Sequence, residues 1–520
     1  MMSKLKKFQK VATLSLCAVG LNFVSGENPK VEAVYRSHSD TGTQIFDYIE
    51  NRRRERRANA LTEEQKKLLR DIKTAEENLP HELKEGEPIP AAFEGDDMVY
   101  NAATGEFVAT GHVDVIQLEG YRFQTEKATG NIKTQDVEVE DKAHMLQLKT
   151  GAPRVTLDGY RTVYNYGTKT GTMDDANGKA GKYYISGKRF EFYPDHVVIH
   201  DATQTKCSAK NPDYHLSAER MEIWPDQIIR MYNIRFLIRD KVVGRKDYDE
   251  SLVNSSEPYF PSVGYDSDDG VYIEDTFEFP FGKNFKGVIN ANLNSKYGFR
   301  SSGEVVYNQG RLESRVMYGY YRDSDGHWIR KMPSWRTTYG GHFKNLPLRY
   351  SLRYEVGHWK SEGVTSTHQE AIVRLNHDPI MFGKRFYLFL GVGYKWTHDD
   401  SDQLGNKLAT RKGMLYNAIL AKEFDNRFAM FVGYRQSESD TGQSLFKFGL
   451  DDYARKLSTG ISYRLTDKDR FVIGCSFNME THRLADVDYY WYRDLHCSTA
   501  ILRWRQKRHK FEIHWQFTPW

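Results

Sequence analysis

The stretch that most constrains this chain is its last twelve residues. Phe511, Ile513, Trp515 and Phe517 alternate with Glu512, His514, Gln516 and Thr518, and Trp520 follows. A period of two with one apolar and one polar face describes a β-strand lying between two solvents. When such a strand stands last, it reads as the closing strand of a transmembrane barrel, one face in hydrocarbon and one in a wet lumen. A strand of a soluble sandwich alternates in the same way, so the rest of the chain has to decide.

Four lysines (Lys4, Lys6, Lys7, Lys10) precede an apolar run from Val11 to Val24, and Val24-Ser25-Gly26 follows. A basic start, a short apolar core and small residues predict a secretory signal over residues 1–26. No later segment has the ~20 apolar residues of a membrane helix. Charged residues make up 28% and mean hydropathy is −0.68, yet aromatics reach 13% and eight of nine Trp lie beyond residue 270. A barrel reconciles these values, because only alternate residues of each strand face lipid. The net charge of +4 is too small to suggest a nucleic-acid partner.

Residues 27–92 read as a charged extension with a helix and a linker. Arg52, Arg53, Arg54, Arg56 and Arg57 form a basic cluster. Thr62 to Gln65 has capping-box spacing, and Leu61, Leu68, Leu69 and Ile72 give a thin apolar stripe. The cluster reads as a solvated face or as a docking arm for a partner or anionic head groups. From 93 to 255 short alternating segments (Val113 and Val115; Val137 and Val139) are separated by turn signals. Two echoes recur: Leu118–Arg122 against Leu157–Arg161, and Tyr100-Asn101 before Thr104-Gly105 against Tyr164-Asn165 before Thr170-Gly171. Repeated strand–turn units without helix signals predict an all-β sandwich or jelly roll of stacked hairpins. From 256 to 520, about 14–16 segments of roughly ten residues predict an antiparallel barrel.

Read in order, these segments resemble the lipopolysaccharide-assembly outer-membrane protein family, the LptD or OstA type. Asp97–Val113, with its Ala-x-Gly-x-Val ending, is similar to the family's jelly-roll repeat. Cys207, Pro212–Ile223 and Tyr232–Phe236 are similar to its junction, and Pro261–Tyr265 with Gly270–Tyr272 to its entry into the barrel. Tyr492–Cys497 with Arg503–Arg505 is similar to its C-terminal hairpin. The barrel portion is about half the length of the family's 26-strand barrels, which implies a narrower lumen. Arg245–Tyr248 also replaces a more apolar stretch.

The resemblance implies an outer-membrane translocon with its N-terminal domain in the periplasm. It would receive lipopolysaccharide from a periplasmic jelly-roll bridge protein, with a plug lipoprotein as a further partner, and insert it into the outer leaflet. Val113, Val115, Val137 and Val139 become lipid-groove candidates. Pro258, Pro261, Pro280 and Pro519 become candidates for a weakly paired lateral seam, since proline lacks a ladder donor; as turn and strand-end prolines they would carry no such role. A disulfide between Cys207 and Cys497 is implied, with Cys475–Cys497 as the alternative. The rival reading is a passive diffusion porin with a periplasmic scaffold domain. No cofactor, metal site or catalytic group is expected. His196 and His200 lack the further ligands of a zinc site, Asp266–Gly270 misplaces the glycine of a calcium loop, and no nucleotide or nucleophile motif occurs.

Overall fold

The structure is a computed structural model that describes residues 41–77, 91–117, 120–148, 154–181, 183–207, 211–224, 228–252, 261–282, 284–383, 385–401, 407–437 and 444–517. They fall into two compact units, divided at Arg57 and again near Pro258. The first unit holds the residues up to Arg57 together with the C-terminal half, and the second the residues between. The signal segment, Pro258, Pro519 and Trp520 lie outside the described residues.

The C-terminal half is a closed antiparallel barrel of 16 strands. Two short pieces, Gly298–Phe299 and Ile380–Phe382, ride beside longer neighbours in the same wall. The alternation expected from the sequence is visible in what each face meets. In Asp469–Asn478, Phe471, Ile473 and Phe477 are exposed while Val472, Gly474 and Ser476 are buried. Around the wall, Phe277, Phe279, Ile289, Val305, Trp335, Leu352, Val373, Val392, Leu420, Val432, Ile461 and Trp491 are likewise outside. So extensive an apolar coat on a closed barrel is stable only in hydrocarbon, which makes this a membrane-spanning barrel of the outer-membrane kind.

Closure occurs between Ser262–Asp266 and Lys510–Phe517, through the pairs Val263–Trp515, Gly264–His514, Tyr265–Ile513 and Asp266–Glu512. That seam is short beside the ladder joining Phe386–Ser401 to Lys407–Glu423, which runs from Phe386–Lys422 to Ser401–Lys407. Pro261 stands just before the first strand, and Pro280 ends the second strand opposite Lys286. His514 accepts or donates to the Tyr272 hydroxyl at 3.0 Å on the inner side, leaving Phe511, Ile513, Trp515 and Phe517 on the outer one.

The second unit is a 13-stranded antiparallel sheet from Ala91–Glu94 to Lys241–Leu252. The all-β character is as expected. Its main path keeps chain order, however, so the described strands form a meander and not the crossed Greek keys of a strict jelly roll. Long strands bend at mid-length. Asp175, Asp201 and Asn233 take φ of +46°, +47° and +51°. Asp and Asn are the residues besides glycine that tolerate this region. Each sits between two buried residues three apart: Met173 and Ala176, Ile199 and Ala202, Met231 and Ile234. A left-handed residue at mid-strand kinks the chain and resets its alternation while the register with the next strand is kept, as in His200–Arg220 and Ala202–Ala218, so both halves keep their apolar side chains on one side. Phe107, Leu157, Phe190 and Leu216 belong to the same interior.

The paired echoes also acquire a cause. Asn101 accepts from the N–H groups of Ala103 and Thr104, and Asn165 from those of Gly167 and Thr168. Each closes a hairpin as an Asx-turn. Asn131 does the same with Lys133 and Thr134, a third copy that the sequence did not reveal.

The extension yields two helices. In α2 (Glu63–Glu77), Thr62 N–H donates to Gln65 Oε1 at 3.1 Å and Gln65 N–H to Thr62 Oγ1 at 3.2 Å. This is the reciprocal capping box that the spacing predicts. Its Leu68 and Ile72 are buried against Ile116 and Leu146 of the sheet, while Leu69 is exposed. Arg122, also buried, pairs with Asp71 of α2 at 3.1 Å and with Asp114. The helix therefore covers one part of the sheet's apolar interior. The other helix, α1 (Gln44–Asn59), is neither a solvated face nor an exposed docking arm.

Candidate functional site: the barrel lumen and its inserts

Ile45, Phe46, Tyr48 and Ile49 of α1 are buried against Tyr387, Phe389, Ile419, Ala421, Ala429, Phe431 and Val472. On each strand these wall residues alternate with outward ones: Leu390 and Val392 beyond Phe389, Leu420 between Ile419 and Ala421, Met430 and Val432 around Phe431. They therefore face inward, and the helix lies inside the lumen. Phe46 meets Phe431 edge-on with centroids 5.4 Å apart, and Tyr48 meets Phe389 the same way at 5.1 Å. Gly42 has φ +78° and lies against the Phe431 ring. A side chain there would be strained in backbone and crowded in space.

Charge completes the docking. Arg53 donates to Glu423 at 2.7 Å and Arg56 donates to both Glu423 oxygens at 2.9 and 2.8 Å. Glu50 accepts from Arg53 at 2.5 Å and from Arg464, and Asp47 accepts from Arg470 at 2.9 Å. Glu423 has no exposed side-chain surface, and Arg53 only 5%. A carboxylate so enclosed is tolerable only with partners in place. Antiparallel strands alternate their turns between the two rims. The turns 424–427 and 465–468 next to these partners lie at the rim where the chain enters at 262 and leaves at 517.

From the opposite rim a second element enters. Between Phe428–Gln436 and Arg455–Arg464, the described residues from 444 on turn inward, burying Phe446 against Ile329 and Trp359, with Tyr321, Val364, Leu445 and Phe448 around it. Trp359 in turn stacks on His368 with centroids 3.4 Å apart. The Gly449 N–H donates to Asp323 Oδ2 at 2.9 Å, tying this segment to the turn at 323–327. Burial pushes the Asp323 carboxyl up, but the His327 ring and the N–H groups of Gly449 and His327 outweigh it and hold the carboxyl below its ordinary value.

Between the inserts the inner wall carries a ladder of opposite charges on neighbouring strands. Glu355 accepts from Lys331 at 2.5 Å and pairs with Arg336 at 2.6 Å. Glu370 pairs with Arg353 at 2.7 Å and Lys395 at 3.4 Å, and Asp399 with His368 at 2.7 Å and Arg411 at 3.7 Å. Arg505, 1% exposed, lies 3.0 Å from Asp325 and 3.7 Å from Asp488. A space of about 420 Å³, open on one side, is lined by Arg374, Asn376, Asn417 and Arg435. Directly opposed pairs Asn376–Gly391, Gly391–Asn417 and Asn417–Arg435 set that row. Away from α1 and the apolar cluster around Phe446, the inner wall carries these ion pairs and amides.

The sequence candidates are placed as follows. Val113, Val137 and Val139 are buried inside the sheet unit, and Val115 is partly buried. Cys207 of the second unit and Cys497 of the first are buried and oxidised, whereas Cys475 is a free thiol. His196 stacks between Tyr193 and Trp224, and His200 lies 3.3 Å from Glu191. Among the described residues no group of three or more His, Cys, Asp or Glu could hold a metal. In the segment at 266–270, Asp266 accepts from the N–H groups of Asp268 and Asp269, which makes it a turn.

No family model and no curated protein matches this chain. Among solved structures, a variant of the Rh. blastica porin aligns with TM-score 0.30 and 8% identity, over 49% of this chain and 96% of the porin. A second variant of that porin gives 0.29 and 7%, over 49% and 95%. The outer membrane channel DcaP of Acinetobacter baumannii gives 0.24 and 11%, over 68% of this chain and 86% of the channel.

Proposed function

We propose that this chain is an outer-membrane conduit that carries an amphiphile from the periplasm toward the outer leaflet. Lipopolysaccharide is the cargo that the resemblance in the sequence implies. The observation that carries the reading is the second unit, whose bent strands line one continuous apolar interior (Phe107, Leu157, Phe190, Ile199, Met231). Acyl chains need such a surrounding and charged sugars need a wet one, and the ion-paired lumen is wet. The short closing ladder supports lateral exit, because few bonds have to part there. A periplasmic bridge protein would deliver the lipid. With α1 already in the lumen, a separate plug lipoprotein has less to fill.

The second reading is a passive diffusion porin with the sheet unit as scaffold. Sixteen strands are enough to leave an aqueous channel, and this inner wall is charged. Depletion in the native cell separates the two. Loss of surface lipopolysaccharide supports the conduit; unchanged display with lost small-solute uptake supports the porin. Photo-crosslinkers at Val113, Val137 or Val139 should capture lipid, and a consistent failure to do so counts against the conduit.

A further inference from the structure

The wall beneath α1 is unusual for a water-filled barrel. Tyr387, Phe389, Ile419 and Phe431 point inward yet are at most 4% exposed, because α1 covers them. None of the barrel's ladders includes a residue of α1, so the closed wall does not depend on it for pairing. The helix is held by an apolar face, by acid–base contacts gathered on Glu423, Glu50 and Asp47, and by hydrogen bonds from Arg470 to the Phe46 carbonyl and from Arg53 to the Asp425 carbonyl. Beyond α1 the inner wall carries ion pairs, together with the separate apolar cluster around Phe446. An element attached by one face to a wall that closes without it is a removable stopper.

We infer that residues 41–57 are a displaceable plug, and that the barrel beneath them is a latent water-filled pore latched by Arg53 and Arg56 on Glu423. This goes beyond either cargo reading and holds for both, since it concerns what the barrel does once emptied. Glu423 is the positioning group: it gathers two arginines one turn apart at the rim end of α1 and fixes the helix against the wall. Neutralising it leaves the buried Arg53 with Glu50 as its carboxylate partner and the Asp425 carbonyl as a neutral one.

The test uses the full chain in planar bilayers, with three variants. Deletion of residues 41–57 removes the plug, Glu423→Gln weakens the latch, and Phe46→Asp spoils the apolar contact without touching a strand. Folding of each is checked by heat-modifiable migration of the barrel on a gel. The full chain should rest closed. The deletion should conduct steadily, and the two substitutions should raise the open fraction by about a hundredfold or more. A folded deletion variant that passes no more current than the full chain overturns the proposal. So does a full chain that already conducts at the level of the deletion. Folded Glu423→Gln and Phe46→Asp variants that both stay as closed as the full chain overturn it as well.

Discussion

Phe46→Ala should loosen α1 by a calculable amount. The Phe46 side chain is 1% exposed, packed edge-on to Phe431 within the cluster that includes Ile419 and Ala429. Removing a buried phenyl ring costs about 3–5 kcal/mol, from lost transfer energy plus the cavity left behind. A β-barrel wall tied by ladders on both sides of Phe431 cannot collapse into that gap, so the upper part of the range applies. Backbone amides of residues 47–53 exchange through undocking of the helix rather than unfolding of the barrel. Their exchange should therefore accelerate by about a thousandfold, at 1.4 kcal/mol per decade. Hydrogen–deuterium exchange with mass spectrometry, on the detergent-solubilised full chain, reads this directly. Strand amides in Asp469–Asn478 should not change. Lys66→Ala, at an exposed pair with Glu63, is the control and should leave the helix unaffected. Unchanged exchange in 47–53, or equal acceleration throughout the barrel, would refute the docking argument.

Three further outcomes are expected. Glu355→Gln should cost more barrel stability than Lys331→Met: the first strands a lysine that is 1% exposed, at about 3–5 kcal/mol, whereas the second leaves Glu355 with Arg336 at 2.6 Å. Thermal unfolding in detergent checks the order. We propose that Cys207 and Cys497 bond to one another, so Cys207→Ser and Cys497→Ser should each abolish the mobility shift between reducing and non-reducing gels, while Cys475→Ser should not. The inward segment around Phe446 should release in acid. The Asp323 carboxyl is held below its ordinary value in the fold, so its contribution is complete above the unfolded value near ~3.9 and is lost as pH falls through the lower folded one. Proteolysis near Lys447 should stay slow from neutral pH down to about 4 and rise only below that.

Much of the barrel was legible because each of its faces meets one solvent. Strands such as Phe428–Gln436 and Asp469–Asn478 have the roughly ten-residue length expected between 256 and 520. Lengths were underestimated where strands outrun the bilayer, as Phe386–Ser401 and Lys407–Glu423 do. The capping box of α2 was readable because it is a contact between near neighbours. The place of α1 was not. Five arginines in six positions read as a solvated run, and only tertiary contacts show Arg53 and Arg56 meeting Glu423 about 370 positions away. One signal was present. Phe386–Val392 and Phe428–Val432 are continuous apolar runs, whereas a lipid–water strand should alternate. Apolar residues on both faces mean that something other than water stands inside. The mid-strand bends escaped for a different reason: Asp175, Asp201 and Asn233 are ordinary turn formers, and nothing in the sequence marks them as left-handed kinks inside a ladder.

The same double-sided strands bear on how the lumen could open. Withdrawing α1 would bring Ile45, Phe46 and Ile49, together with Tyr387, Phe389 and Phe431, into contact with water. Each such side chain forfeits about 1.5–3 kcal/mol on exposure. The released helix regains conformational freedom, which offsets part of this but does not replace the partners of the buried Glu423. Spontaneous opening is therefore rare, and an open state populated in the cell requires something that binds it in preference to the closed one. A ligand with equal affinity for both states shifts nothing, however tightly it binds. The candidates are confined to what the helix hides: an apolar patch at one rim, the carboxylate of Glu423 and the guanidinium of Arg53, since Arg54 and Arg56 are already exposed. A ligand with an apolar surface matches that patch, whereas a small polar solute does not.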